Sequence, residues 1–176
     1  MTIYIPAWVD GTLTPVEKLQ AHQEGLRHKA ISVFLFHQDR LLIQRRALSK
    51  YHTPGLWANT CCTHPKWDEP AQDAAQRRLK EELGITCDTL NNCGQVEYRA
   101  SVGDGMIEHE VVEMFIGHVA QIPDMRPNPE EVCDTQWMGR EALLDRVQRH
   151  PEQFTVWFKI YLEQHQDRFW PSPCLS

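Results

Sequence analysis

From Ala30 to Phe36 the chain runs Ala-Ile-Ser-Val-Phe-Leu-Phe, apolar with one exception, which predicts a buried strand. His37-Gln-Asp-Arg40 supplies a polar turn, and Leu41–Arg45 returns as the second arm of a hairpin. Thr53-Pro-Gly-Leu-Trp57 predicts a loop, because the Pro-Gly pair forces a turn. From Glu69 to Leu83 the apolar period becomes helical, with Ala71, Ala74, Ala75, Leu79 and Leu83 on one stripe. Pro70 is tolerated in the first turn, Asp73 lies near the positive end of the dipole, and Gly84 can cap the C-terminus. Val96–Ala100 and Met106–Val119 alternate as strands about a Gly103-Asp-Gly105 turn.

Two amphipathic helices are expected after Gly139. The first carries Leu143, Leu144 and Val147; the second opens at Pro151 and carries Phe154, Trp157, Phe158, Tyr161 and Leu162. Strands with helices on both sides predict an α/β sandwich of one domain, residues 1–176, with its core at about 17–165. The tail from Arg168 is expected to be loosely held.

The length of 176 residues suits one domain with a real core, and a hydrophobic fraction of 41% argues against disorder. Eighteen basic against 24 acidic residues give a formal charge of −6, which disfavours nucleic acid as a partner but leaves room for a local basic pocket. No apolar run approaches a membrane span, and the start lacks the basic and apolar regions of a signal peptide. The cysteines at 61, 62, 87, 93, 133 and 174 show no zinc-ribbon spacing, and adjacent Cys61 and Cys62 suit a mutual disulfide poorly. Free thiols and a cytoplasmic location are expected.

The chemistry is concentrated in few places. On a strand Glu108 and Glu110 share a face while His109 points away, and two such carboxylates repel unless a cation or proton separates them. The competing reading is a solvated strand face. His22, His28 and His64 could complete a site for a divalent transition metal or Mg²⁺ in octahedral geometry, although His37 and His52 are equally eligible on composition. On the helix Arg77, Glu81 and Glu82 lie at helical spacing, so its acids could bind a second cation such as Mg²⁺.

The stretch from Thr63 to Ile85 resembles the signature of the Nudix superfamily, with Glu69, Arg77, Glu81, Glu82 and Gly84 in register. Thr63 replaces the leading glycine and Arg78 the first helix glutamate, so one carboxylate that holds Mg²⁺ for hydrolysis has become a cation. Three further strings, Arg45-Arg-Ala-Leu-Ser-Lys50, Pro54-Gly-Leu-Trp-Ala-Asn-Thr-Cys-Cys-Thr-His-Pro65 and Ile107-Glu-His-Glu-Val111, are similar to the type I isopentenyl diphosphate isomerases. That likeness runs from about Glu17 to Trp157.

The resemblance implies a Nudix-like α/β/α sandwich with a mixed sheet. It implies that His22, His28, His64, Glu108 and Glu110 hold a divalent metal, Mn²⁺ or Mg²⁺ or else Zn²⁺. Cys62 would be one acid/base, and Glu110 with Tyr98 the other. Glu82 would help hold a second Mg²⁺ that also touches the substrate diphosphate, which Lys18, Arg46, Lys50 and Arg78 would clamp. Trp157 would pack near the hydrocarbon. The expected substrate is isopentenyl diphosphate, taken by a monomer with neither nucleic acid nor membrane as partner. The alternative is a Nudix pyrophosphohydrolase acting on a nucleoside diphosphate derivative.

Moving a proton across an unactivated alkene passes through a tertiary carbocation, and needs two acid/base groups on opposite faces. The cation must be kept from water in an apolar pocket with an aromatic face, for which Trp57 and Trp157 are the candidates. Cys61 reads as a small core residue, and Arg45 as a solvated one.

Overall fold

The computed structural model describes residues 1–170. Nine strands form one mixed sheet: β1 (Tyr4–Val9), β2 (Thr12–Glu17), β3 (Arg27–His37), β4 (Arg40–Arg46), β5 (Trp57–Ala58), β6 (Cys61–Thr63), β7 (Leu90–Gly103), β8 (Met106–His118) and β9 (Val132–Gly139). Five helices accompany them: α1 (Lys18–Glu24), α2 (Ala71–Leu83), α3 (Arg140–Arg149), α4 (Val156–Gln164) and α5 (Gln166–Phe169). The fold is a Nudix-like α/β/α sandwich.

The apolar run after Arg27 is nearly continuous because β3 is central and covered on both faces. It runs parallel to β8 from Arg27 to Phe36 and antiparallel to β6 at Ile31–Val33. Its side chains divide by parity. Ile31, Val33 and Leu35 meet Ala74, Ala75, Leu79 and Leu83 of α2, while Phe34 and Phe36 meet the aromatic side chains of α4 and α5. The small alanines let α2 sit close to the sheet.

The β3–β4 hairpin forms as expected, but the two arms pair directly only at Phe36↔Leu41 and His37↔Arg40. Beyond that they splay, and the Thr60 hydroxyl bridges them. It accepts from the Leu35 N–H at 2.9 Å and donates to the Leu42 carbonyl at 2.6 Å. The splay opens room for a pocket.

Several expectations need correction. The helix predicted from Glu69 begins at Ala71, since the Glu69 carboxylate is occupied outside it, accepting from the Lys66 N–H and from Arg77. The helix predicted from Pro151 is a single 3₁₀ turn at Pro151–Gln153; Phe154 and Thr155 are extended, and α4 starts at Val156. The break is enforced by packing: Phe154 is buried, and the Thr155 N–H bonds the Trp57 carbonyl of β5 at 2.9 Å.

The core also reaches past 17–165. Ile5 and Ala7 of the β1–β2 hairpin are fully buried, and Phe169 stacks on Phe34 at 4.0 Å between ring centres. The expectation of a loose tail therefore fails for Phe169 and Trp170; the rest of that segment lies outside the described residues. Among the described residues no helix is long and apolar enough to cross a membrane.

Candidate active site

Short α1 is held at both ends by local chemistry. The Glu17 carboxylate accepts from the N–H groups of Leu19 (3.2 Å) and Gln20 (3.0 Å), and Gly25 ends the helix at φ 64°. A Cβ there would crowd Ile107 at 3.2 Å, on top of the strain that a positive φ imposes on any other residue. One turn of α1 separates Lys18 from His22 and puts them on one face, above the sheet positions of His28 and Glu110.

His22, His28, His64 and Glu110 bring one donor atom each to within 4.8 Å of one another. His22 Nδ1 donates to the Lys18 carbonyl and His28 Nδ1 to the Leu26 carbonyl, each at 2.7 Å. A carbonyl only accepts, so Nδ1 is committed in both rings and Nε2 is the atom each ring offers to the site; both Nε2 atoms are buried without a hydrogen-bond partner. His64 Nε2 lies 2.9 Å from Glu110 Oε1, and its buried Nδ1 is unpartnered as well.

Burial, then neighbouring His28, pushes His22 down to about 4, and burial holds His64 well below an ordinary imidazole. Lone pairs and a carboxylate turned toward one another are the donor set of a divalent cation, and the residues present fit one.

Glu108 and Glu110 share the inner face of β8, both buried, while His109 points outward to Glu97 at 3.1 Å. The solvated-face reading is thereby excluded. The two carboxylates nevertheless part company. Glu110 belongs to the three-histidine group, whereas Glu108 groups with His22 and His52 and lies 3.7 Å from His52 Nε2. His52, which composition left as one eligible histidine among several, is drawn in by the loop after Lys50.

Tyr98, opposite Glu110 on β7, places its hydroxyl 2.8 Å from Glu108 Oε2 and 2.7 Å from Glu110 Oε2. One hydroxyl has one hydrogen, so a further proton or a cation must reside in this trio. Burial and the charge of Glu110 raise Glu108 well above the usual carboxylate range, which makes it the proton holder. Burial also opposes charge on Glu110, but the imidazoles of His28 and His64 overcome it and hold that carboxyl low.

Cys61 and Cys62 alternate on β6. Cys61 is buried under α2, and Cys62 opens to the pocket on the other face. The Cys62 thiol donates to Asn59 Oδ1 at 2.8 Å and meets Ser32 Oγ at 3.2 Å, which in turn contacts the Tyr161 hydroxyl at 3.0 Å. Asn59 is aimed by its own amide, which donates to the carbonyls of Val33 and Cys61. Burial keeps Cys62 protonated, pushing it far above an ordinary thiol. Cys62 and Glu110 sit on the strands flanking β3, opposite Ser32 and His28 respectively.

The outer part of the same pocket is basic, lined by Lys18, Arg46, Lys50 and Arg78. Burial, then Lys50 and Arg78, brings Lys18 down to about 8. Arg46 donates to the carbonyls of His52 and Thr53, and its guanidinium lies 5.3 Å from the Trp157 ring. Glu82 reaches the pocket from α2, accepting from Arg78 at 2.7 Å and Gln44 at 2.7 Å. Glu81 is exposed and pairs with Arg77 and Arg78. Trp157 lines the pocket, whereas Trp57 packs away from it under Arg146. Ser32, Gln44, Asn59, Tyr161 and Glu131 carried no signal in the sequence, being ordinary residues until the sheet brings them together.

The NUDIX domain family matches residues 26–158. The chain is 58% identical over 167 residues to the isopentenyl-diphosphate Delta-isomerase of Rhodobacter capsulatus, covering 95% of each protein. It is 60% identical to that of Cereibacter sphaeroides, covering 93% of each. Among solved structures, a MutT NUDIX hydrolase from Burkholderia pseudomallei superimposes with a TM-score of 0.62 at 22% identity, covering 79% of this chain and 98% of that one. A MutT protein from Methanosarcina mazei Go1 gives 0.63 at 19%, covering 78% and 91%. At such identities these two structures speak for the fold alone. A NUDIX sheet whose α2 carries Arg78, with Cys62 facing a His/Glu cluster across the pocket, agrees with what the full-length relatives are: the chain belongs to the isopentenyl-diphosphate Delta-isomerase family.

Proposed function

We propose that this chain interconverts isopentenyl diphosphate and dimethylallyl diphosphate by a 1,3-proton shift, supplying isoprenoid biosynthesis in the cytoplasm as a monomer. The observation that carries this is the placement of two separate proton-carrying systems, Cys62 and the Tyr98–Glu110–Glu108 trio, across one pocket whose outer wall is basic.

One system gives a proton to the terminal alkene carbon, producing a tertiary cation, and the other removes a proton from the methylene beside it. The reverse direction exchanges the two roles. Each turnover therefore leaves both systems in the opposite protonation state, and exchange with solvent resets them. Ser32 and Asn59 hold the thiol in place in both states, one able to donate to a thiolate and the other accepting from a thiol. Trp157 and Tyr98 line the apolar reach of the pocket, excluding water and favouring the cation by about 0.5–2 kcal/mol.

His22, His28, His64 and Glu110 would hold the divalent metal, with Glu108 beside them. When bound, such an ion supplies positive charge that fixes Glu110 and eases proton release from its neighbours. Lys18, Arg46, Lys50 and Arg78 would clamp the diphosphate, with Mg²⁺ held between it and Glu82.

The test is proton NMR with isopentenyl diphosphate and Mg²⁺ in D₂O. Dimethylallyl diphosphate carrying deuterium is expected. Free phosphate or pyrophosphate from a folded, metal-loaded sample would instead mark a hydrolase.

A further inference from the structure

The four cations of the outer pocket fall into two pairs. Lys18 and Arg46 have no carboxylate at ion-pair distance among the described residues. Lys50 and Arg78 share one: Glu131, just before β9, takes Lys50 Nζ on Oε2 at 2.6 Å and Arg78 on Oε1 at 3.3 Å. Glu131 itself lines the pocket, and both it and the Lys50 side chain are largely shielded from solvent. Arg78 is further engaged by Glu81 and Glu82, and yet its Nε is buried with no acceptor at all. Half of the anion site is open, and the other half already holds an internal anion.

Resting on the diphosphate-binding reading above, we propose that Glu131 is a specificity-determining residue: it is the built-in counter-ion of Lys50 and Arg78, and it tunes the pocket to the magnesium complex of a diphosphate over the free anion. The physical reason is the scaling of Coulomb energy with ligand charge. A fixed carboxylate beside the site repels free pyrophosphate, with three or more negative charges, harder than it repels the magnesium complex, whose cation cancels two of them. Free pyrophosphate must also displace a 2.6 Å charge-assisted bond to reach Lys50. The magnesium complex brings a cation that the displaced carboxylate, together with Glu82, attracts. Glu131 thus needs no contact with the reacting carbons. It acts on which form of the substrate enters.

The experiment is calorimetric titration of the metal-loaded protein with inorganic pyrophosphate, with and without excess Mg²⁺, for wild type, Glu131→Gln and Glu131→Asp. Glu131→Gln should tighten free pyrophosphate by about tenfold and the magnesium complex by less than about threefold, so the magnesium preference shrinks. Glu131→Asp keeps the charge while shortening its reach, and should retain most of the wild-type preference even where it melts earlier. Unchanged or weaker binding of free pyrophosphate to Glu131→Gln would overturn the proposal, leaving the pair a structural tie. Equal loss of preference in both variants would also overturn it, because the bond and not the charge would then matter. Deuterium incorporation by wild type is scored separately. Turnover with no Glu131 effect defeats this inference alone, and the Glu131 effect without turnover defeats the isomerase reading alone.

Discussion

At the inner end of the pocket polar atoms outnumber their partners, whereas at the outer end charges are crowded against one another. His22 Nε2, His28 Nε2 and His64 Nδ1 are buried without a hydrogen-bond partner, in rings gathered around the Glu110 carboxylate. A few ångströms outward, Arg78 alone contacts Glu81, Glu82 and Glu131. Burial opposes protonating His22 and His64, so the inner set of donors suits a divalent cation. The outer surplus is a balance that an incoming anion must disturb. The inner end is a set of fixed groups, and the outer end is a set of exchangeable partners.

Five experiments test that contrast and its surroundings. The largest effect is expected at Cys62, where Cys62→Ala should cut turnover by about 10²–10⁴ while metal content and melting temperature stay put. A loss under tenfold would remove the thiol from the chemistry. Next, His28→Ala should weaken divalent-metal affinity by about 10–100-fold, measured by elemental analysis after dialysis. Glu110→Gln should lose more metal than Glu108→Gln, because only Glu110 stands within the three-histidine group. The reverse order would mean that Glu108 is the principal carboxylate ligand.

At the outer end, Lys50→Gln should raise KM by about tenfold with a smaller change in kcat, and the KM effect should fade in high salt. An effect confined to kcat would place Lys50 at the inner end instead. The smallest change concerns the Glu69–Arg77 clamp outside the pocket. The Arg77 guanidinium holds the Glu69 carboxyl below its ordinary 4.5, so the folded state binds that proton less readily than the unfolded one. Its stabilisation is therefore present above about pH 4.5 and lost as pH falls through the lowered folded value. Arg77→Met should flatten the fall in urea midpoint across that acid window. An unchanged slope would show that the clamp contributes nothing measurable.

The elements with strong local signals were legible in advance. The apolar run of β3, the alanine stripe of α2 and the Gly103–Gly105 turn each depend on neighbours within one element. The short β1, β2 and α1 carry no long apolar period, because Ile5, Ala7, Val16 and Ala21 form a small cluster spread over three short elements, and His22 is enclosed by His52 and His64 from elsewhere in the chain. The α4 boundary was misplaced for a similar reason: a helical apolar period continues through Phe154 and Thr155, and a tertiary hydrogen bond to Trp57 overrides it.

The candidate site shows the same division. Alternation on a strand sufficed to put Glu108 and Glu110 on one face, whereas Cys62, Tyr98 and the basic residues were expected only through the resemblance to the isomerases. Nothing local could distinguish His52 from His37, yet one lies in the pocket and the other bonds the Val119 carbonyl at the far end of β3. Nor could spacing show that Glu131, some 50 residues beyond Arg78, would become its counter-ion. Periodicity, strand faces and the kinds of chemistry available follow from the order of residues alone. Which polar atoms face one another is set by the fold, because hydrogen bonds and charges act over a few ångströms of space, whatever their separation along the chain.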